Sequence, residues 1–172
     1  ARRRLDPFPG NRADKNQESK QMKHIGTLLS ATVIGLVISA TAAAQAKPEQ
    51  LVKQRQAAMT LQGKYFGPLG AMAQGKAPYN AELVRHNAAF LDVLAKMPWD
   101  GFAASTKDVK SATLPAAFTD TAKFKEAQDR LESEISKLVS VSKSGDEAAV
   151  KAQLGAVGKS CGGCHENFRE KQ

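Results

Sequence analysis

Four stretches of the chain repeat apolar residues at spacings of three and four, the period of a helix with one buried face. The first runs from about residue 49 to 73, with Val52, Met59, Phe66 and Leu69 on one face and Leu51, Gln56 and Gly63 at its edges. Pro48 opens it, where a missing N–H costs nothing, and Gly75 and Pro78 end it. The second runs from about 81 to 97. Leu83, Asn87, Phe90, Leu94 and Met97 share its face, flanked by Val84 and Leu91, with Asn80 as N-cap and Pro98 as stop. The third, about 120 to 143, aligns Phe124, Ala127, Leu131, Ile135 and Leu138 and ends at Gly145. Asp146 caps the fourth, which runs to about 171 and aligns Val150, Leu154, Val157, Cys161, Cys164 and Phe168.

Short links join the first helix to the second and the third to the fourth, which makes each pair antiparallel neighbours. The long connection, 98–118, carries the only tryptophan, Trp99, and is expected to pack on the helices. No stretch of useful length alternates with period two, and there is no internal repeat. The expected fold is all-α, an antiparallel four-helix bundle. A length of 172 residues suits one domain and excludes a large barrel, and aromatics at 6% favour packed helices over a β-sandwich.

The first 46 residues stand outside this pattern. Met22-Lys23-His24 is followed by an uncharged stretch from Ile25 to Ala46, apolar over 28–40 and closing with Ala44-Gln45-Ala46. A short basic start, an apolar centre and small residues before a cleavage point make a secretory signal peptide over 22–46. A membrane anchor is the alternative, but the strongly apolar part is shorter than the ~20 residues a span needs. Residues 1–21 have no apolar face and are expected to be upstream sequence read in frame and not folded. Gln17-Glu18 can be encoded by a purine-rich ribosome-binding sequence just before Met22. The bundle domain is then 47–172, exported to the periplasm.

Removing the leader changes what the charge implies. The whole chain has 25 Lys+Arg against 17 Asp+Glu, a net +8. Residues 1–46 carry 7 of the basic and 3 of the acidic groups, which leaves 18 against 14 and a net +4. The remaining lysines are dispersed, so nucleic acid is not an expected partner.

The chemistry lies near the carboxyl end. Cys161-Gly162-Gly163-Cys164-His165 is C-x-x-C-H, the attachment sequence for c-type haem. Two thiols three positions apart can each add to one haem vinyl group, and the adjacent imidazole can then serve as an axial iron ligand. Other readings are weaker. A redox C-x-x-C wants a βαβ setting, and zinc wants four ligands, whereas in 47–172 only His86 and His165 remain as histidines and there are no other cysteines. A structural disulfide would leave His165 without a role. His86, at the fringe of the second helix's face, is expected to be an ordinary surface histidine.

The run Gly158-Lys159-Ser160-Cys161-Gly162-Gly163-Cys164-His165-Glu166-Asn167-Phe168-Arg169 resembles the class II cytochromes c, in particular the cytochrome c prime family. Lys47-Pro48-Glu49-Gln50-Leu51-Val52-Lys53-Gln54-Arg55-Gln56 is similar to that family's first helix. Met97-Pro98-Trp99 and Lys143-Ser144-Gly145-Asp146 resemble its segments after helices two and three. The resemblance implies one covalent haem c held by Cys161 and Cys164, with His165 as proximal ligand and Arg169 beside it. It implies Arg55 and Gln56 at the haem edge and propionate, Met59 at the distal position, and a backbone contact from Ala112. It also implies a homodimer formed through helices one and two.

Met59 divides two functions. If its side chain only shields an open iron, the protein binds nitric oxide and carbon monoxide. If its sulfur is the sixth ligand, the protein is a low-spin His/Met electron carrier with redox-protein partners. Lys53-x-Arg55-Gln56 and Trp99 lean toward the shielded, five-coordinate type. With Met59 apolar and His86 remote, no distal acid–base pair is visible, and no enzymatic activity is expected.

Overall fold

The computed structural model describes residues 46–171; the leader, 1–21 and 22–45, lies outside the described residues. Four long helices form a bundle: α1 (Pro48–Ala73), α2 (Ala81–Leu94), α4 (Thr121–Val141) and α5 (Glu147–Phe168), with a one-turn helix α3 (Ala116–Thr119) before α4. Packing runs round a ring, α1 on α2, α2 on α4, α4 on α5 and α5 on α1. The expected N-caps form: Asn80 accepts from Leu83 N at 2.9 Å and Asp146 from Ala149 N at 3.0 Å. Gly75 (φ 70°) and Gly145 (φ 76°) supply the left-handed turns that end α1 and α4.

The core comprises Leu69 and Met72 of α1, Val84, Ala88 and Leu91 of α2, Leu131, Ile135 and Leu138 of α4, and Val150, Leu154 and Val157 of α5. Periodicity placed α4 and α5 correctly. It misplaced the face of α2, whose buried line is Val84, Asn87, Ala88, Leu91 and Leu94. Phe90 and Met97, expected inside, are 43% and 55% exposed, and α2 itself stops at Leu94. The reason is that α2 is apolar on two sides, so the pattern alone fits either rotation.

On α1 the buried positions include two polar side chains, Arg55 and Gln62, and exclude Gln56 and Gly63. Gln62 Nε2 donates to Leu94 O at 3.1 Å, and Asn87 Nδ2 donates to Tyr65 O at 2.9 Å. These bonds replace water for buried amides and fix the α1–α2 register. Pro68 lies within α1, which nevertheless continues to Ala73.

The long connection is ordered. Two short 3-10 turns, Trp99–Phe102 and Ala104–Thr106, pack on α1. Leu114 N donates to Phe168 O at 3.0 Å and Glu170 N donates to Ala112 O at 2.8 Å, stitching the connection to the end of α5. Among the described residues no helix is long and apolar enough to cross a membrane.

Candidate functional site

Antiparallel packing gathers the first half of α1, the start of α4 and the last turns of α5 at one end of the bundle, where the connection closes over them. A cavity of about 440 Å³ lies there. Cys164, His165, Phe168 and Arg169 line it from the α5 end, Arg55, Gln56, Met59 and Gly63 from α1, and Phe124 from α4. The connection adds Trp99, Phe102, Ser111, Ala112 and Thr113.

The register between α1 and α5 can be read from one contact. A Cβ on Gly158 would meet Phe66 Cζ at 3.6 Å, so these two residues face each other. Seven residues back along α1 is Met59, and seven forward along α5 is His165. Seven residues are two turns in each helix, so Met59 and His165 stand at the same level of the bundle.

Arg55 is only 3% exposed. Its Nη1 donates to Gly101 O, its Nη2 donates to Ser111 Oγ at 3.0 Å, and its guanidinium lies 4.4 Å from the Phe102 ring centroid. All three partners are neutral. Burial pushes its pKa below the ordinary arginine value. Gly101 makes this approach feasible, since a Cβ there would stand 2.5 Å from Arg55 Cβ and 2.8 Å from Leu51 O.

Phe102, Phe124 and Phe168 form an aromatic chain, with ring centroids 4.7 Å apart between the first two and 5.1 Å between the last two. Trp99 adds its edge contact to Phe124 at 6.2 Å. These apolar rings are the sequence's quiet contribution to the site. Phe124 and Phe168 showed only as members of a helical face, and Ser111 carried no signal in its polar run.

The two thiols are free and partly buried, and burial raises both pKa values, Cys161's also through its neighbour Cys164. They therefore sit as neutral thiols far along α5. Redox dithiols are the opposite, with pKa values lowered at a helix N-terminus. Cys164 lines the cavity, whereas Cys161, one turn earlier, packs against the bundle core. His165 is largely exposed; the desolvation it does feel, then the charge of Arg169, lower its pKa. Its imidazole is thus biased toward the neutral form that a metal requires.

Among the described residues no group of three or more His, Cys, Asp or Glu can hold a metal ion. A metal at His165 must bring its other ligands with it, as an iron porphyrin does. The cavity suits that group: apolar rings along its walls, the Cys164 thiol and an imidazole at one side, Arg55 and Arg169 among its lining and no Asp or Glu. Those cations match a ligand that carries carboxylates.

A sequence model of the family described as Cytochrome C' matches residues 50–169. The chain belongs to the cytochrome c prime family. It is 40% identical over 126 residues to a cytochrome c prime from Rubrivivax gelatinosus, covering 73% of this chain and 98% of that protein. The fold is shared with a nitric oxide complex of a cytochrome c prime variant from Alcaligenes xylosoxidans, with a TM-score of 0.68, 36% identity, and coverage of 74% of this chain and 99% of that one. A carbon monoxide-bound variant of the same protein matches with a TM-score of 0.67 and 36% identity, over 73% and 98% of the two chains. Proteins of the cytochrome c prime family carry covalently bound haem c, and this chain is a haem protein with that family's helical bundle.

Of the residues expected at the site, Arg55, Gln56, Met59, Ala112, Cys164, His165 and Arg169 all line the one cavity. Ala112's carbonyl is engaged by Glu170 N. Gln56, expected on the buried edge of α1, is exposed at the cavity rim. His86 is exposed on α2, edge-on to Phe90 at 4.9 Å.

Proposed function

We propose that the chain is a periplasmic cytochrome c prime that binds nitric oxide, and carbon monoxide, at a five-coordinate haem, and that it is not an enzyme. The carrying observation is Met59, which lines the cavity at the level of His165. Cys161 and Cys164 would hold the haem by thioethers and His165 would ligate its iron, and the haem would supply the affinity for diatomic gases. Met59 is the shield: a flexible thioether chain that yields to a diatomic and excludes larger or charged ligands. Arg55 and Gln56 hold the carboxylate edge, and Arg169 stands beside the proximal imidazole. The gas complexes of the Alcaligenes protein support this reading. The leader at 22–46 directs export.

The chain is further proposed to dimerise through α1 and α2. Leu61, Phe90, Val93 and Met97 are 41–61% exposed, and Tyr65 stacks on Phe90 at 4.8 Å. Such a patch on one side of a helix pair supports a covered face.

The test is titration of the reduced protein with nitric oxide and with carbon monoxide under anaerobic conditions. One gas molecule per haem is expected. A ferrous spectrum that does not change with either gas would give the site to electron transfer through a bonded Met59.

A further inference from the structure

Gly63 lies inside α1, where glycine is destabilising relative to alanine. The backbone gives no reason for it. The glycines with positive φ are Gly75 and Gly145, and a Cβ built on Gly63 would meet nothing within 4 Å. Neither a left-handed turn nor a close approach, such as the one at Gly101, asks for glycine here. Of the glycines of α1, Gly63, Gly67 and Gly70, Gly63 is the one on the wall of the 440 Å³ cavity.

Its place relative to Met59 gives it a use. Residues three and four apart on a helix are neighbours, so Met59 is flanked by Arg55, Gln56, Gln62 and Gly63. Arg55 is buried and held by Gly101 O and Ser111 Oγ. Gln56 stands at the cavity rim, on the side given above to the carboxylate edge of the haem. Gln62 is buried against α2, where its Nε2 donates to Leu94 O at 3.1 Å. A side chain at position 63 would lean toward the amino end of α1 and lie over the turn that carries Met59. Glycine leaves that place empty on the cavity wall.

We infer that Gly63 is a positioning residue for gas binding: the hollow left by its missing side chain receives the Met59 thioether when a diatomic takes the iron face that Met59 shields. The inference rests on the five-coordinate reading above and names where the shield goes. Methionine suits the move, since its three rotatable bonds let it refill a gap of another shape. A ligand is then admitted only as far as Met59 can withdraw, so the size of residue 63 sets the size of the ligand.

The test is the rate of carbon monoxide association with the ferrous holoprotein, by stopped flow, for the wild type, Gly63→Ala and Gly63→Val, each with Met59 intact and in the Met59→Ala background. Gly63→Val should slow association about tenfold or more, the rate equivalent of overpacking by one side chain. Gly63→Ala should slow it less. It adds a single Cβ at an exposed position with open space around it, so it keeps the fold and carries the test if the valine variant does not. In the Met59→Ala background both substitutions should leave the rate unchanged, because nothing then has to withdraw. A crystal structure of the wild-type carbon monoxide complex should place the Met59 thioether in contact with Gly63. A Gly63→Ala rate equal to that of the wild type would overturn the inference. Equal slowing with and without Met59 would also overturn it and make position 63 a wall of the gas path. A thioether turned toward Gln56 in the complex would do the same for the hollow. Failure of the five-coordinate reading shows itself separately, as a low-spin ferric wild type before any gas is added.

Discussion

Replacing Gly101 by alanine tests how closely the connection is fitted to the site. The new Cβ would lie 2.5 Å from Arg55 Cβ and 2.8 Å from Leu51 O, so both obstacles sit on or next to the α1 backbone and cannot rotate away. Overpacking of this kind costs about 1–3 kcal/mol. Relief requires the turn to lift from α1, which stretches the bond from Arg55 Nη1 to Gly101 O and the one from Thr106 Oγ1 to the same oxygen at 3.0 Å. At roughly 2–8 °C per kcal/mol for domains of this size range, the unfolding midpoint should fall by about 5–10 °C. The assay is thermal unfolding of the holoprotein followed by circular dichroism. Gly155→Ala is the control. Gly155 is exposed in α5 with nothing within 4 Å of an added Cβ, so alanine there should stabilise by about 0.5–1 kcal/mol through helix propensity. A Gly101→Ala midpoint at or above that of the wild type would refute the fitted-turn argument.

Three other outcomes are expected. Acid–acetone extraction should leave haem on the wild-type protein and remove it from the Cys161→Ser/Cys164→Ser variant; haem that extracts freely from the wild type would remove the thioether assignment. Phe90→Glu, which puts a charge amid the exposed apolar residues of α1 and α2, should cost about 1–3 kcal/mol of association and weaken a dimer tenfold or more, measured by sedimentation, whereas a wild type that is monomeric at high micromolar concentration would contradict the interface. Acid should destabilise the fold through Asp120 and Glu134, whose carboxyls are held below 3.8 and 4.5 first by side-chain bonds from Lys123 and Lys137. A lowered folded pKa means the unfolded chain binds more protons, so this stabilisation is present at neutral pH and lost as pH falls through the acid range. Both groups are solvent-screened, so Asp120→Asn, which keeps a cap acceptor for Lys123 N, should flatten the acid limb only slightly in pH-dependent denaturation.

How legible these features were depended on the physics behind each. The faces of α4 and α5 were plain because Leu131, Ile135, Leu138, Val150, Leu154 and Val157 recur at helical spacing with polar residues between them. The face of α2 was ambiguous because Phe90 and Val93, continued by Met97 just beyond its end, form a second apolar side that the bundle does not use. Arg55 was placed at the site through its likeness to the family's first helix. That it would be among the most buried side chains of α1 was hidden, since burial of a charge depends on partners far along the chain, here Gly101 and Ser111. Cys161, Cys164 and His165 stood out in the sequence because haem attachment fixes their spacing; Cys164 and His165 line the cavity, while Cys161 packs against the core. The aromatic wall was not, because Phe102 joins Phe124 and Phe168 only when the connection folds back.

The claim at the centre is that Met59 shields the iron and does not bond to it. The most direct measurement is the spin state of the ferric protein, in the wild type and in Met59→Ala, by visible absorption and electron paramagnetic resonance. High-spin iron is expected in both, with faster carbon monoxide association to the ferrous Met59→Ala protein because the shield is gone. A low-spin wild type with a thioether-to-iron band in the red, converted to high-spin by Met59→Ala, would contradict the account and make the protein a His/Met electron carrier.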